Sequence, residues 1–355
     1  MDSSFVSLGA VNAQMWDALV SMSDEGWPFA LSAWQRLILA VEEWGLIDRS
    51  FIMMQDGRIV AVMPLQFKQA SKVLASSGWG GTGPVVADTL SAKWRTRVLS
   101  RVLEHAEQIG LELGATCLEF WMSPVTRASI GARWGVNPFV FHGFEDRSGI
   151  SQVIDLSKPD QALWRDVSET ARHAIRRAKD AGITVEEGAW PEMVDEYYSV
   201  HVETYTRTGV APHPKAYFEG IARAMWPLRH SILWVARDHH GQAVAFQNTL
   251  WFREGAYYHT ACSTQTALDS GANYLLLWHA LLAAKVSGIR LYDCGEIAPG
   301  EITGKRLGLT IFKSKFGGEP HRFFKCAKTL ITMKSECVNN VSGFGHHLSS
   351  WLRRR

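Results

Sequence analysis

A repeated pattern in the two halves of the chain constrains the fold most strongly. Residues 51–62 and residues 232–246 each combine two apolar, strand-like segments with a short polar turn that contains a glycine, Gly57 or Gly241. Glycine tolerates the positive φ that tight hairpin turns require. Each of these segments therefore predicts a β-hairpin.

The same order of elements follows both hairpins. A long helical pattern is followed by a glycine just past its end, which is the usual helix stop, and then by an apolar strand. These elements are residues 92–109, Gly114 and residues 116–121 in the first half, and residues 273–286, Gly288 and residues 289–294 in the second.

This repetition predicts an α/β (α+β) fold made of two similar units in tandem, each with a mixed central sheet flanked by helices. A length of 355 residues also exceeds what one hydrophobic core usually supports. The boundary is expected near residue 155, which gives domains 1–155 and 156–330. Residues 331–355 form a tail, and packing of this tail on the first domain is one option. Chance similarity between two ordinary α/β halves is the alternative interpretation.

Charge and hydropathy narrow the class of protein. The chain has 37 Lys and Arg against 35 Asp and Glu, so its net charge of +2 gives no general attraction to DNA. No apolar run reaches the roughly 18 residues of a membrane-spanning helix. The first residues lack the basic and apolar blocks of a secretory signal. We therefore expect a cytoplasmic protein without a transmembrane segment, and a monomer.

Cysteine and histidine spacing gives no reason to expect a metal site. The five cysteines are scattered and form no C-x-x-C pair. The adjacent pairs His239-His240 and His346-His347 are poorly placed to share one ion on a regular element.

A basic stripe lies on a predicted helix in the second half. Arg172, Arg176 and Lys179 are at positions i, i+4 and i+7, so they share one face. Such a stripe can neutralise phosphates at short range. A solvated helix face is the alternative, and this segment alone does not decide between them.

Two further segments have the composition of a substrate site. Residues 205–217 contain two prolines, a glycine, aromatic rings and bases, a composition typical of ordered loops beside clefts, and provide Arg207, His213 and Tyr217 as candidates. Residues 256–263 form a strand that carries Tyr258. A polar loop with Gly271 and Asn273 then leads into a helix, which makes an anion-binding corner possible. 

The last candidate segment combines carboxylates with a lysine between aromatic rings. Asp293 and Glu296 follow a strand and could orient or deprotonate an amine, or simply form a turn. Phe312 precedes Lys313, which could stabilise an oxyanion. A lysine that snorkels from the edge of the core is the alternative. Lys315 follows two residues later.

The order of these motifs resembles the Fem family, the aminoacyl-tRNA-dependent peptidyltransferases of the FemAB and FemX type. The resemblance covers about residues 25–325. It is carried by five motifs of the second half and by Trp27-Pro28-Phe29 before Trp34 in the first; the five are Arg172–Gly182, Tyr258–Ser263, Leu275–Trp278, Tyr292-Asp293-x-Gly295 and Phe312-Lys313-x-x-Phe316-Gly317.

This resemblance implies two tandem domains of the acyl-CoA N-acyltransferase (GNAT) type and amide-bond formation. An amine of a small or peptidyl acceptor, resembling a peptidoglycan precursor, would attack the ester of an aminoacyl-tRNA. Phe312 and Lys313 would border the donor channel, and Lys313 would stabilise the tetrahedral intermediate or the tRNA 3′ end. Tyr258 would lie near the acceptor, and Arg207 would contact its phosphate. No tightly bound cofactor is implied.

Two departures from known patterns bear on the donor. In the glycine-rich corner that binds the pyrophosphate of acyl-CoA in GNAT enzymes, this chain has Asn273 at the second small-residue position after Gly271. The paired-helix arm of some Fem members has no counterpart, which favours the shorter FemX-like form. Transfer from acyl-CoA or an acyl carrier protein remains the alternative reaction, and a non-catalytic tandem GNAT module remains the alternative class. In either donor reading, the candidate donor-binding residues are Arg172, Arg176, Lys179, Gly271, Asn273 and Lys315.

Overall fold

The structure is a computed structural model that describes residues 3–10, 12–76, 81–132, 135–301 and 303–330. Its contacts divide the chain into a first unit, Met1–Gly149 with the described residues from Arg322 on, and a second unit, Ile150–His321. The predicted tail, residues 331–355, lies outside the described residues. Within the described ranges no helix is both long and apolar enough to cross a membrane.

The first unit contains β1 (Ser3–Ser7), α1 (Ala13–Met22), α2 (Ser32–Leu39), β2 (Leu46–Asp48), β3 (Phe51–Gln55), β4 (Arg58–Met63), β5 (Gln66–Lys68), β6 (Val73–Ala75), β7 (Val85–Val86), α3 (Ala92–Glu112), β8 (Cys117–Met122), α4 (Arg127–Gly131) and β9 (Glu145–Asp146). Strands β1, β3, β4 and β7 form an antiparallel sheet in that order. Helix α3 packs its apolar side, with Val98, Val102 and Leu103, into the core of this unit.

The second unit contains β10 (Gly149–Asp155), α5 (Asp160–Asp166), α6 (Glu169–Asp180), β11 (Thr184–Gly188), α7 (Trp190–Arg207), α8 (Lys215–Ala224), β12 (Ser231–Arg237), β13 (Ala243–Phe252), β14 (Gly255–Ser263), α9 (Gln265–Ser270), α10 (Ala272–Val286), β15 (Leu291–Ile297), α11 (Gly304–Ser314) and the start of β16 (Glu319–Thr329). Its sheet has the order β11-β12-β13-β14-β15-β10, and only the β14–β15 pair is parallel.

Helices cover both faces of this second sheet. Alternate side chains of β12, such as Ile232 and Trp234, join the core formed with α6 and α10. The side chain of Ser231, which precedes Ile232, points the other way and accepts a hydrogen bond from Trp190 of α7 at 2.9 Å. This alternation is the expected period of two for a sheet buried on both sides.

The predicted repeat is confirmed. Strands β3 and β4 form the first hairpin and β12 and β13 the second, while α3 and α10 are the two long helices that follow. One local expectation differs: the polar loop expected before α10 is mostly helix α9. Thr264 begins this helix because its hydroxyl accepts a hydrogen bond from the N–H of Ala267.

The division of the chain also differs in position from the expected boundaries at residues 155 and 330. Strand β10 pairs antiparallel with β15 through Ile150–Asp155, so these residues group with the second unit. At the other end, residues 324–329 of β16 pair with β8, and the chain from Arg322 on therefore groups with the first unit.

Replacing Gly271 by alanine is expected to destabilise the protein more than replacing Gly288, which lies at the other end of α10. Both glycines have nearly the same left-handed φ, +84° and +85°, which costs an alanine about 1–2 kcal/mol. A Cβ at Gly271 would lie 2.8 Å from the carbonyl oxygen of Ala174, whereas a Cβ at Gly288 meets nothing within 4 Å. We expect an extra loss of about 1–3 kcal/mol in the free energy of unfolding for Gly271→Ala, measured by urea denaturation. Equal losses would contradict the close helix contact.

Candidate active site

Strands β14 and β15 separate from each other partway along their length. Their parallel pairing joins Gly255–Tyr257 to Leu291–Asp293 only, although within the described chain β14 runs on to Ser263 and β15 to Ile297. A gap between two neighbouring strands exposes backbone groups and side chains that a continuous sheet would cover. The candidate site lies where this pairing ends.

Lys313 reaches this point from α11. It is half-buried, and its Nζ donates a hydrogen bond of 2.6 Å to the carbonyl oxygen of Glu296. The Nζ also lies over Gly295, where an added Cβ would be 3.1 Å away and where φ is +88°. Glycine is needed here both for the backbone conformation and for the space occupied by the ammonium group. Burial lowers the pKa of Lys313, and Asp293 opposes that effect.

Asp293 is the buried carboxylate beside this lysine. Its side chain is 2% exposed, and its Oδ1 accepts a hydrogen bond of 2.7 Å from the N–H of Gly295. Burial raises the pKa of Asp293 to about 6, although hydrogen bonds from Gly295 and Ser151 and the charge of Lys313 act in the opposite direction. A carboxyl with such a pKa can exchange a proton near neutral pH.

Of the two neighbouring strand tyrosines, Tyr257 faces Asp293. Tyr258, the residue expected to lie near the acceptor, does not. Tyr257 is paired with Asp293 across the parallel strands, whereas Tyr258 packs against the hydrophobic core on the α10 side. Successive strand residues point to opposite faces, so a choice between neighbours decides the face. Burial, with Asp293 adding to it, raises the pKa of Tyr257 above its usual value.

A buried cluster of histidines and tyrosines adjoins Tyr257. The predicted residue Tyr217 contacts His259, with 2.6 Å between the hydroxyl and Nε2, and the predicted residue His213 donates its backbone N–H to His201 at 3.1 Å. Burial lowers the pKa of His259 and of His201 to about 3 each. Both rings are therefore neutral at physiological pH and act as hydrogen-bonding groups rather than as charges.

The aromatic neighbours of Lys313 form a second cluster. Phe312 contacts Tyr274 of α10 edge to face at 5.0 Å, and Phe316 at 5.5 Å. The Nζ of Lys315 lies 3.2 Å from the hydroxyl of Tyr274, at the first turn of α10. The Phe312–Lys313 motif is therefore fixed between β15 and the beginning of α10.

The three predicted basic residues of α6 have different surroundings. Arg172 donates to the carbonyl oxygens of Trp164 and Val167 and so holds the end of α5. Arg176 is exposed with its guanidinium 5.8 Å from the ring centre of Trp164, and Lys179 is exposed as well. Arg176 and Lys179 are the members of this face that are open to a ligand.

Arg207, the last residue of α7, lies beside the C-terminal end of β14 and next to the beginning of α10. It donates to the carbonyl oxygen of Ser263 at 2.8 Å and pairs with Glu203 at 3.3 Å. The side chain of Asn273 donates to the hydroxyl of the same Ser263 at 3.2 Å. Arg207 is therefore grouped with Asn273 and Gly271, the expected donor residues, and not with Asp293.

Glu296 contributes its backbone rather than its carboxylate to the lysine. Its exposed carboxylate pairs with Arg306 at 3.0 Å, while its carbonyl oxygen binds Lys313. This carboxylate is not directed at the buried position of Asp293, so Asp293 is the better candidate for proton transfer.

Sequence reasoning missed Tyr257, His259, His201 and Ser151. The pairing of β13 with β14 shifts register at Asn248, which leaves one extra residue in β14 at His259. Such a bulge redirects the side chains that follow it. The segment Tyr257–His259 was visible as a candidate, but a bulge has no signal in one sequence that would reveal which ring faces which side.

A family model matches part of the second unit. Residues 165–301 match the model of the family described as "Acetyltransferase (GNAT) domain". No curated protein matches the chain at the sequence level.

Among solved structures, FemX is similar to this chain with a TM-score of 0.68 and 16% identity, covering 91% of this chain and 97% of FemX. L-PGS from Bacillus licheniformis has a TM-score of 0.53 and 15% identity, covering 82% and 90%. A tandem GNAT protein from the clavulanic acid biosynthesis pathway has a TM-score of 0.55 and 13% identity, covering 94% and 100%. The chain has the FemX-like tandem GNAT fold.

Proposed function

We propose that this protein is an aminoacyltransferase that moves an amino acid from an aminoacyl-tRNA to a primary amine and forms an amide bond. The observation that carries the proposal is the position of Lys313, whose ammonium group lies beside the buried Asp293 where β14 and β15 separate. The Fem-like motifs of the sequence imply the aminoacyl-tRNA donor.

The reaction requires one bond to form and one to break. The acceptor nitrogen attacks the ester carbonyl carbon, and negative charge develops on the carbonyl oxygen. The ammonium of Lys313 is placed to stabilise this oxyanion, since a charge held in a partly dry site acts more strongly than one in water. The C–N bond remains, and the bond between the carbonyl carbon and the ribose oxygen breaks.

Asp293 provides a route for the proton. With a pKa of about 6 it is largely ionised at pH 7, so it can accept the proton that the amine loses on attack. It can then return this proton to the departing ribose oxygen, which leaves as a hydroxyl. Because an ester is already activated, positioning and electrostatic stabilisation are sufficient without a covalent enzyme intermediate.

The donor would approach over the first turn of α10. Lys315 and Arg207 lie beside this turn, and α6, which carries the exposed Arg176 and Lys179, packs against α10 through the Ala174–Gly271 contact. These bases suit the phosphates of a tRNA 3′ end. A peptidyl amine resembling a peptidoglycan precursor is the acceptor that the Fem resemblance favours.

A second candidate is transfer from acyl-CoA to an amine. It is favoured by the GNAT family match, because residues 165–301 include the α9–Gly271–α10 corner. In this corner the side chain of Asn273 donates a hydrogen bond to the hydroxyl of Ser263. The first candidate is preferred because the motif around Lys313 is shared with the Fem pattern.

Offering the purified protein both donors separates the two reactions. Each donor, an aminoacyl-tRNA or an acyl-CoA, is radiolabelled in its transferred group and offered with candidate peptide amines, and we expect labelled amide product only from the aminoacyl-tRNA. Consumption of the thioester alone would reject the first candidate.

The double variant Arg176→Gln, Lys179→Gln should have a higher KM for aminoacyl-tRNA, and this KM should depend less on salt, because phosphate contacts are lost. Arg290→Gln is the control. It removes an exposed charge just before the first residue of β15, at the end of this strand away from Lys313, and should leave this KM unchanged.

A further inference from the structure

Helix α3 of the first unit borders a cavity that the proposed transfer reaction does not use. This α3 cavity has a volume of about 440 Å³, within the usual range for small-molecule sites. Met53 and Val98, each 1% exposed, provide an apolar floor. Arg97, Arg101 and the half-buried Trp94 form its helical side.

The two arginines of the cavity are held by aromatic rings rather than by carboxylates. The guanidinium of Arg97 lies 5.2 Å from the ring centre of Trp94, and that of Arg101 lies 5.8 Å from the ring centre of Phe5. Arg101 also donates to the hydroxyl of Ser3. Of the described carboxylates, none forms an ion pair with either of these two side chains.

Arg95 of the same helix differs from the two cavity arginines because carboxylates neutralise its charge. Its guanidinium forms ion pairs with both Glu25 and Asp88. Within the part of the chain that the structure describes, Arg97 and Arg101 form no such ion pair. Their positive charges are therefore available to a ligand.

The helix itself adds to the positive potential. Lys93, Arg95, Arg97 and Arg101 all lie in the first three turns of α3, and no acidic residue occupies its first turn. The N-terminal end of a helix carries partial positive charge, which acidic residues usually balance. Here bases and dipole have the same sign, an arrangement that is unfavourable for the helix alone and favourable for binding an anion.

We propose that the α3 cavity binds a phosphate monoester that carries an apolar body. Arg97 and Arg101 are four residues apart, about 6 Å along the axis, so both forks can reach one phosphate. Two guanidinium groups match the nearly double negative charge of a phosphate monoester better than the single charge of a carboxylate. The body of the ligand would contact Trp94, Met53 and Val98. This site belongs to the first unit and does not depend on the proposed transfer chemistry.

Calorimetric titration of the full chain with phenyl phosphate tests this proposal. We expect a Kd below about 1 mM, weaker binding of inorganic phosphate and of benzoate, and no binding of phenol, which lacks the anion. No binding of phenyl phosphate up to about 10 mM, or equal binding of phenol, would overturn the proposal.

Variants assign the binding to this cavity. Arg97→Gln and Arg101→Gln should each raise the Kd for phenyl phosphate about tenfold or more, because each removes a charged hydrogen-bonding fork. Arg97→Lys keeps the charge without the fork and should have an intermediate effect. Arg36→Gln removes one exposed charge elsewhere in the first unit and should leave the Kd unchanged. Folding is checked by circular dichroism, and unchanged affinity in both folded glutamine variants would refute the site.

Discussion

Lys313→Met is expected to lower kcat/KM for amide formation by about 100- to 1000-fold while the protein remains folded. Methionine keeps much of the length and apolar character of the side chain but cannot donate a hydrogen bond or carry charge. The loss should appear mainly in kcat, because the oxyanion exists only in the transition state. Steady-state kinetics with aminoacyl-tRNA and a peptide amine measure the effect.

Lys285→Met is the matched control for this change. Lys285 is also half-buried, and its Nζ also donates to a backbone carbonyl oxygen, that of Leu156 at 3.1 Å. Its substitution should reduce the free energy of unfolding but leave kcat close to that of the natural protein. A Lys313→Met protein that retains full kcat would show that Lys313 has the same purely structural role as Lys285.

Asp293→Asn is expected to reduce kcat by about 100-fold or more and to make the folded protein more stable at neutral pH. Asparagine can still accept the N–H of Gly295, which Asp293 accepts at 2.7 Å, but it cannot take a proton from the amine. In the natural protein kcat/KM should rise as pH increases through about 6, where Asp293 ionises. This acidic limb should be absent from the residual activity of the variant.

The stability effect follows from the direction of the pKa shift. The pKa of Asp293 is about 6 in the folded protein against an ordinary value of 3.8, so between these pH values the folded state holds more of its proton than the unfolded state. Its contribution to stability is therefore present below pH 3.8 and is lost as pH rises through 6. At pH 7 the asparagine variant should be more stable by up to about 3 kcal/mol in denaturant titrations. A variant that is active, or less stable at pH 7, would contradict the role given to Asp293.

The fold could be predicted because the same order of hairpin, long helix, glycine and strand occurs in both halves of the chain. Gly57 and Gly241 mark the two hairpins, and Gly114 and Gly288 mark the ends of α3 and α10, at all of which the structure has positive φ. A residue type that is forced by the backbone leaves a clear signal in one sequence. The grouping of the chain from Arg322 on with the first unit left no such signal, because it depends on which strands pair.

The site was predictable in its residue types but not in its contacts. β15 and α11 bring Asp293 and Lys313 close to each other, whereas Phe312 packs against Tyr274 and Phe316. The face of Tyr257 and Tyr258 depends on strand register and on the neighbouring bulge, which are tertiary properties. The hydrogen bond from Lys313 to the carbonyl oxygen of Glu296 could not be predicted from the sequence either, since every residue has a carbonyl oxygen.

The alternative of a non-catalytic module predicts none of these kinetic effects. A structure of the protein with a non-reactive amide-linked aminoacyl-adenosine, which mimics the tRNA 3′ end, examines the central arrangement directly. The donor carbonyl oxygen should lie within hydrogen-bonding distance of Nζ of Lys313, with Asp293 close to the position of the incoming amine. An analogue that binds with its carbonyl remote from Lys313 would contradict the proposed mechanism.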